Sequence, residues 1–239
     1  MLRPTVFLGG SLLASVLALG DSSATATSIT AAPVDPFLLY GGEIDFDVYR
    51  KGEKVGFHRV RFNGDRNDLT AQSEFSVRID VLMIPVYRYL YRSESRWQNG
   101  VLERLNASVD DDGTPSEVIV STHDGRIRIK APDQSVITAP PLFPTNHWNH
   151  RVTAEDRVLN TLTGRINDVR IEPRGREDVM TERGAVTATR YAYTGDLETE
   201  VWYDAEGRWV KMRFDGKDGT PIEYICRRCQ GGKQAKAGQ

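Results

Sequence analysis

The chain predicts an all-β fold, an antiparallel and strongly curved meander sheet or open barrel with little helix, and three observations carry that reading. Period-two alternation of apolar and polar residues recurs from Gly42 to Ile225. Turn signals rich in Gly, Asp and Asn separate these runs at hairpin spacing. No span sustains the 3.6-residue apolar period of a long amphipathic helix.

The chain begins with a secretory address. Met1, Leu2 and Arg3 form a basic n-region, Val6 to Leu19 is an apolar h-region, and Ala24-Thr25-Ala26 is the small-x-small pattern that a signal peptidase cleaves after. Residues 1–26 are therefore expected to be a signal peptide, and the mature protein to be periplasmic or secreted. The h-region is too short for a stable membrane span, so none is expected after cleavage. Residues 27–39, rich in Thr, Ala and Pro, read as a flexible leader, 40–229 as a single β domain, and 230–239 as a disordered Gly/Lys/Gln tail.

Ile44, Phe46 and Val48 alternate with Glu43, Asp45 and Asp47 as the first half-buried strand, and 51–54 supplies its turn. In the return strand the apolar set shifts from Val55 and Phe57 to Val60 and Phe62, which places a bulge near His58 and Arg59. The next hairpin carries Phe75, Val77, Ile79 and Val81 outward and Tyr87, Tyr89, Tyr91 and Trp97 back, around an apolar corner, Leu82-Met83-Ile84-Pro85. Corners are normally polar, so this one should be buried against another element or serve as an apolar lip for a ligand, membrane or partner. Asn99-Gly100 is the strongest hairpin turn, and 110–113 and 124–125 continue the meander. Four prolines between 131 and 144 imply an extended crossing, followed by a short helical stretch within 145–156. Strands resume at 166–171, 188–193, 200–203, 209–214 and 221–225.

Lys+Arg 31 against Asp+Glu 33 leaves a net charge of -2 and no basic stripe, which argues against nucleic acid as a partner. Phosphate loops and serine-nucleophile motifs are missing too. His147 and His150, in Thr145-Asn146-His147-Trp148-Asn149-His150, are the catalytic candidates, since a neutral imidazole can act as ligand or general base. Trp148 and Asn149 suit recognition of a planar group, or else a barrel plug and a turn cap. Tyr87, Tyr89, Tyr91 and Trp97 share one face that could hold an apolar or glycan ligand, or pack in a closed core. Asp110–Asp112 lack the spacing of a calcium loop, and Glu198, Glu200 and Asp204 read as outward charge.

Cys226-x-x-Cys229 is read as an inert local disulfide, with a redox pair or half of a zinc site, completed by His147 and His150, as alternatives. No cofactor or metal is expected.

Tyr87-x-Tyr89, Thr145-x-x-Trp148-Asn149, Leu159-Asn160-Thr161-x-Thr163-Gly164, Gly195-Asp196-Leu197 and Trp202-Tyr203-Asp204-x-x-Gly207-x-Trp209-Val210 resemble an exported proteobacterial family known only as a domain of unknown function. The resemblance covers 42–224 and implies no established activity. More loosely, the meander is similar to the curved half-barrels of periplasmic lipoprotein carriers, without their lid helix. The functional expectation is a non-catalytic envelope protein that binds an apolar or amphiphilic small molecule, or an envelope protein, on a concave aromatic-lined face. The alternative is a hydrolase or lyase acting on an envelope glycan or lipid through His147 and His150.

Overall fold

The computed structural model describes residues 32–82 and 84–231, so the signal-peptide segment lies outside the described residues. Ordered chain starts before the expected Tyr40. Pro36–Tyr40 forms a short helix, α1, whose start is capped by Asp35 Oδ1, accepting from the amides of Phe37 (3.0 Å) and Leu38 (3.1 Å). Gly41 ends it in the left-handed region.

Fifteen strands follow in one sheet. The first wing comprises β1 (Glu43–Arg50), β2 (Glu53–Gly64), β3 (Asp68–Val81), β4 (Ile84–Gln98), β5 (Val101–Asp111), β6 (Thr114–His123), β7 (Arg126–Ala131) and β8 (Gln134–Thr138). The second comprises β9 (Phe143–Pro144), β10 (Arg157–Leu159), β11 (Ile166–Thr181), β12 (Gly184–Gly195), β13 (Thr199–Asp204), β14 (Trp209–Asp215) and β15 (Pro221–Arg228). Pairing of β1 with β15 joins the wings, so β8 and β9 are the two edges of a sheet that does not close. Every pair is antiparallel except β9 with β10.

Apart from the parallel β9–β10 crossover, each wing is a meander, so successive turns alternate between two ends. The sheet curls until distant strands meet. The Tyr91 hydroxyl on β4 donates to Thr161 Oγ1 in the β10–β11 turn (3.0 Å), and Lys217 in the β14–β15 turn pairs with Asp111 of β5. Inward residues of both wings, among them Phe46, Val60, Leu105, Val120, Ile129, Val201 and Trp209, fill the interior. Outward positions carry cross-strand ion pairs such as Arg92–Glu74 and Arg96–Asp68, which contribute little each at such exposure.

Three local expectations need correction. The bulge in β2 lies at Val55, where the register moves from Val48↔Gly56 to Tyr49↔Lys54, and not at His58. Gly56, His58, Val60 and Phe62 then all point inward. Glycine is required at 56 because a Cβ would lie 1.8 Å from the Ser76 carbonyl oxygen. The crossing at 131–144 contains β8, which tolerates its neighbouring prolines because it is an edge strand. Finally, β11 continues through Pro173 to Thr181 across an irregularity between Pro173 and Arg176, so the β11–β12 hairpin is longer than alternation indicates.

Candidate functional site

The two ends of the half-barrel differ. At one end α1 and the segment 145–156 form a plug. Asn149 Oδ1 accepts from the Arg151 amide (3.2 Å) and starts the 3-10 turn His150–Ala154, leaving Trp148 to point into the barrel. There Trp148 meets Phe62 (5.3 Å between ring centroids) and Trp97 (5.4 Å), both edge-on. The buried Tyr40 hydroxyl donates to the Trp148 carbonyl (2.9 Å) and accepts from the Trp209 amide (3.0 Å), tying α1, plug and sheet together. The Tyr203 hydroxyl donates to the His147 carbonyl (2.9 Å). Trp148 and Trp97 are therefore packed together in the buried core, and Asn149 caps the turn beside them.

His147 is buried and His150 is half-buried at this plugged end. Burial holds the His147 imidazole neutral, lowering its pKa to about 3, and its Nδ1 has no hydrogen-bond partner among the described residues. Its ring lies against Tyr193 (5.6 Å) and Trp209 (5.7 Å). His150 is lowered by partial burial and by the Arg151 charge, and its Nδ1 is likewise unpartnered. A general base needs a reachable nitrogen and a group that orients the ring; among the described residues no hydrogen-bond partner orients the Nδ1 of either imidazole.

A third histidine, His58, carries interior polarity that the sequence reading missed. Its Nε2 lies 2.7 Å from Ser73 Oγ, while Nδ1 has no partner among the surrounding Phe75, Trp209 and Tyr224 rings. Burial first, then the unfavourable coupling to the neighbouring His147 ring that protonation of both would bring, lowers its pKa to about 3. The inward phase of position 58 was the signal available, and the misplaced bulge hid it.

The opposite end is open. Tyr224 is buried there amid Phe75 (5.7 Å, stacked), Phe214 (6.0 Å) and Phe46 (5.7 Å). Above it Phe75, Ile79, Tyr89, Met212 and Phe214 are only partly buried. The β3–β4 corner rises beyond them with Leu82 91%, Ile84 65% and Val86 51% exposed. The expectation of a buried corner is thus overturned, because no element packs over it among the described residues.

Tyr87 and Tyr89, paired with Ile79 and Val77, are partly buried, whereas Tyr91 is buried. The Tyr87 hydroxyl donates to Asp111 Oδ1 (2.8 Å), and Lys217 binds the other carboxylate oxygen. Burial and then the Asp111 carboxylate push the Tyr87 pKa up to about 12, while Lys217 chiefly holds Asp111 below the usual carboxylate range. An apolar lip, half-buried aromatic rings and one charged strap therefore surround the same opening. Such a mixture suits a ligand with an apolar body and a polar head.

The Cys226 and Cys229 sulfurs are bonded to each other at the plugged end of β15, beside Glu182 of the β11–β12 turn. Glu182 Oε1 accepts from the Cys229 amide (3.2 Å). Among the described residues, the cysteine pair groups with Glu182 and not with His147 and His150.

No curated protein matches the chain. Among solved structures it is similar to a β-barrel-like protein of a domain of unknown function, DUF1849, from Brucella abortus, at 13% identity and a TM-score of 0.60 over 85% of this chain and 100% of that one. That likeness concerns the fold alone. A family model described as "Domain of unknown function (DUF6134)" matches residues 46–227, most of the β domain. The chain belongs to this DUF6134 family of unknown function.

Proposed function

We propose that this protein is a non-catalytic envelope protein that binds an apolar or amphiphilic small molecule at the open end of its half-barrel. The carrying observation is the exposed Leu82, Ile84 and Val86 lip, continuous with the partly buried Ile79, Tyr87 and Tyr89. Water-facing apolar area of this kind is costly to leave uncovered, at about 25 cal/mol per Å². The Asp111–Lys217 pair supplies polar contacts for a headgroup at the rim.

An exported location is part of the proposal. It is supported by the basic, apolar and small-residue order of the first 26 residues and by the Cys226–Cys229 bond, which an oxidising compartment favours. The hydrolase or lyase reading through His147 and His150 is less favoured, since the His147 ring is enclosed against Tyr193 and Trp209.

Calorimetric titration with a lysophospholipid below its critical micelle concentration tests the binding reading. One molecule should bind per chain, with affinity lowered at least about tenfold by the double change Ile84→Ser and Val86→Ser, a loss of roughly 1.4 kcal/mol. Absence of binding, or binding indifferent to those changes, would contradict it.

A further inference from the structure

Glu182, Cys226 and Cys229 make an arrangement that a local disulfide does not explain. The ligand-capable atoms of the three lie within 4.8 Å of one another. The Cys229 amide fixes one carboxylate oxygen of Glu182, which aims the other, Oε2, at Cys226 Sγ from 3.0 Å. A sulfur in a disulfide has no proton to donate, so two electron-rich atoms meet there with nothing between them. A cation would relieve that contact. The cysteines are 5% and 0% exposed, whereas Glu182, on the hairpin turn, keeps 24% of its side chain in water and gives an ion its way in. Arg183 Nε lies 4.0 Å from Oε1, and Oε2 is directed at the sulfur.

We propose that the reduced form of this protein binds one zinc-like divalent cation through the Cys226 and Cys229 thiolates and the Glu182 carboxylate, with a coordination position left for water. Two thiolates and a carboxylate form a donor set that zinc accepts, while calcium and magnesium prefer oxygen alone. A dithiol reductant opens the site: it gives two electrons and two protons to the Cys226–Cys229 bond, yielding two thiols, and itself becomes a disulfide. Metal binding then displaces the two thiol protons to solvent. Disulfide and metal are thus mutually exclusive ways of fastening the end of β15. In the metal form the clasp also reaches the β11–β12 turn, which the disulfide alone does not hold covalently.

The experiment uses the full mature chain, reduced with a dithiol and then freed of reductant under anaerobic, metal-free conditions. Co2+ is the probe, read through thiolate-to-cobalt charge-transfer absorption, with Zn2+ as the displacing ion. The expected result is one Co2+ per reduced chain and none per oxidised chain. Binding should be abolished by Cys226→Ser with Cys229→Ser and weakened about tenfold or more by Glu182→Gln, since even a supporting group commonly costs that much. Far-UV circular dichroism of each variant checks that the sheet is retained, and Glu182→Asp, which keeps a carboxylate, should recover part of the affinity. A reduced chain that binds no Co2+, or a folded Glu182→Gln variant that binds as the parent does, would overturn the proposal.

Discussion

At the plugged end, Tyr40, Phe62, Trp97 and Trp148 are buried, with the Tyr40 hydroxyl bonded to Trp148 and Trp209 and the Trp97 indole N–H donating to Ser95. At the open end, Phe75, Tyr89 and Phe214 have comparable ring area but remain partly exposed, and Ile84 and Val86 stand in water. Both ends draw on the same aromatic and aliphatic side chains. What separates them is coverage: 36–40 and 145–156 close one end, and among the described residues no segment closes the other. Aromatic content along a strand therefore says little about function until one knows which end of the sheet a second segment covers.

That contrast is broken most sharply by Trp148→Ala, which should cost about 3–5 kcal/mol in a urea titration, the range for losing a large buried ring. Tyr89→Ala, one layer from the opening, should cost distinctly less. Equal losses would mean that the ends are packed alike.

Acid tests the interior between them. His58 and His147 are lowered by burial to about 3, so the folded state refuses protons that the unfolded chain accepts near 6.5. Their contribution to stability is complete above pH 6.5 and is lost as pH falls from there toward 3. Between pH 7 and pH 5 the loss is about 2 kcal/mol per histidine by linkage. Urea titrations at the two pH values should show it, and His58→Asn should flatten the decline; an unchanged slope would mean that His58 charges within the fold.

Gly207→Ala probes how tightly the plug sits. Its φ is +80°, and a Cβ would lie 2.7 Å from His150 Nδ1, so about 1–3 kcal/mol of strain is expected in thermal or urea unfolding. By contrast, Ile84→Ser with Val86→Ser should alter stability by less than about 0.5 kcal/mol per site, since neither side chain is covered. A large loss would show that the lip is packed against something.

Much of the fold was legible because it is local. Asn99-Gly100 and Asp124-Gly125 set their turns within a few residues, and alternation at 44–48 and 73–81 set the inward face. Legibility ended where distant segments decided the outcome. The run 173–181 lacks alternation, and only pairing with 184–191 makes it a strand. The exposure of Leu82 and the meeting of Glu182 with Cys226, 44 residues apart, depend on how the sheet curls. His58 was in reach of sequence reasoning, but an apolar Phe57 on the outer face, covered by the Arg59 guanidinium at 5.3 Å, imitated an inward residue.

The most direct measurement of the difference between the ends is photolabelling of the intact mature protein with a diazirine-bearing single-chain amphiphile, with adducts located by peptide mass spectrometry. The binding account predicts adducts in 79–90 and 212–224 and their loss when unlabelled amphiphile competes. Adducts concentrated in 36–40 and 145–156, or labelling that competitor does not reduce, would contradict it.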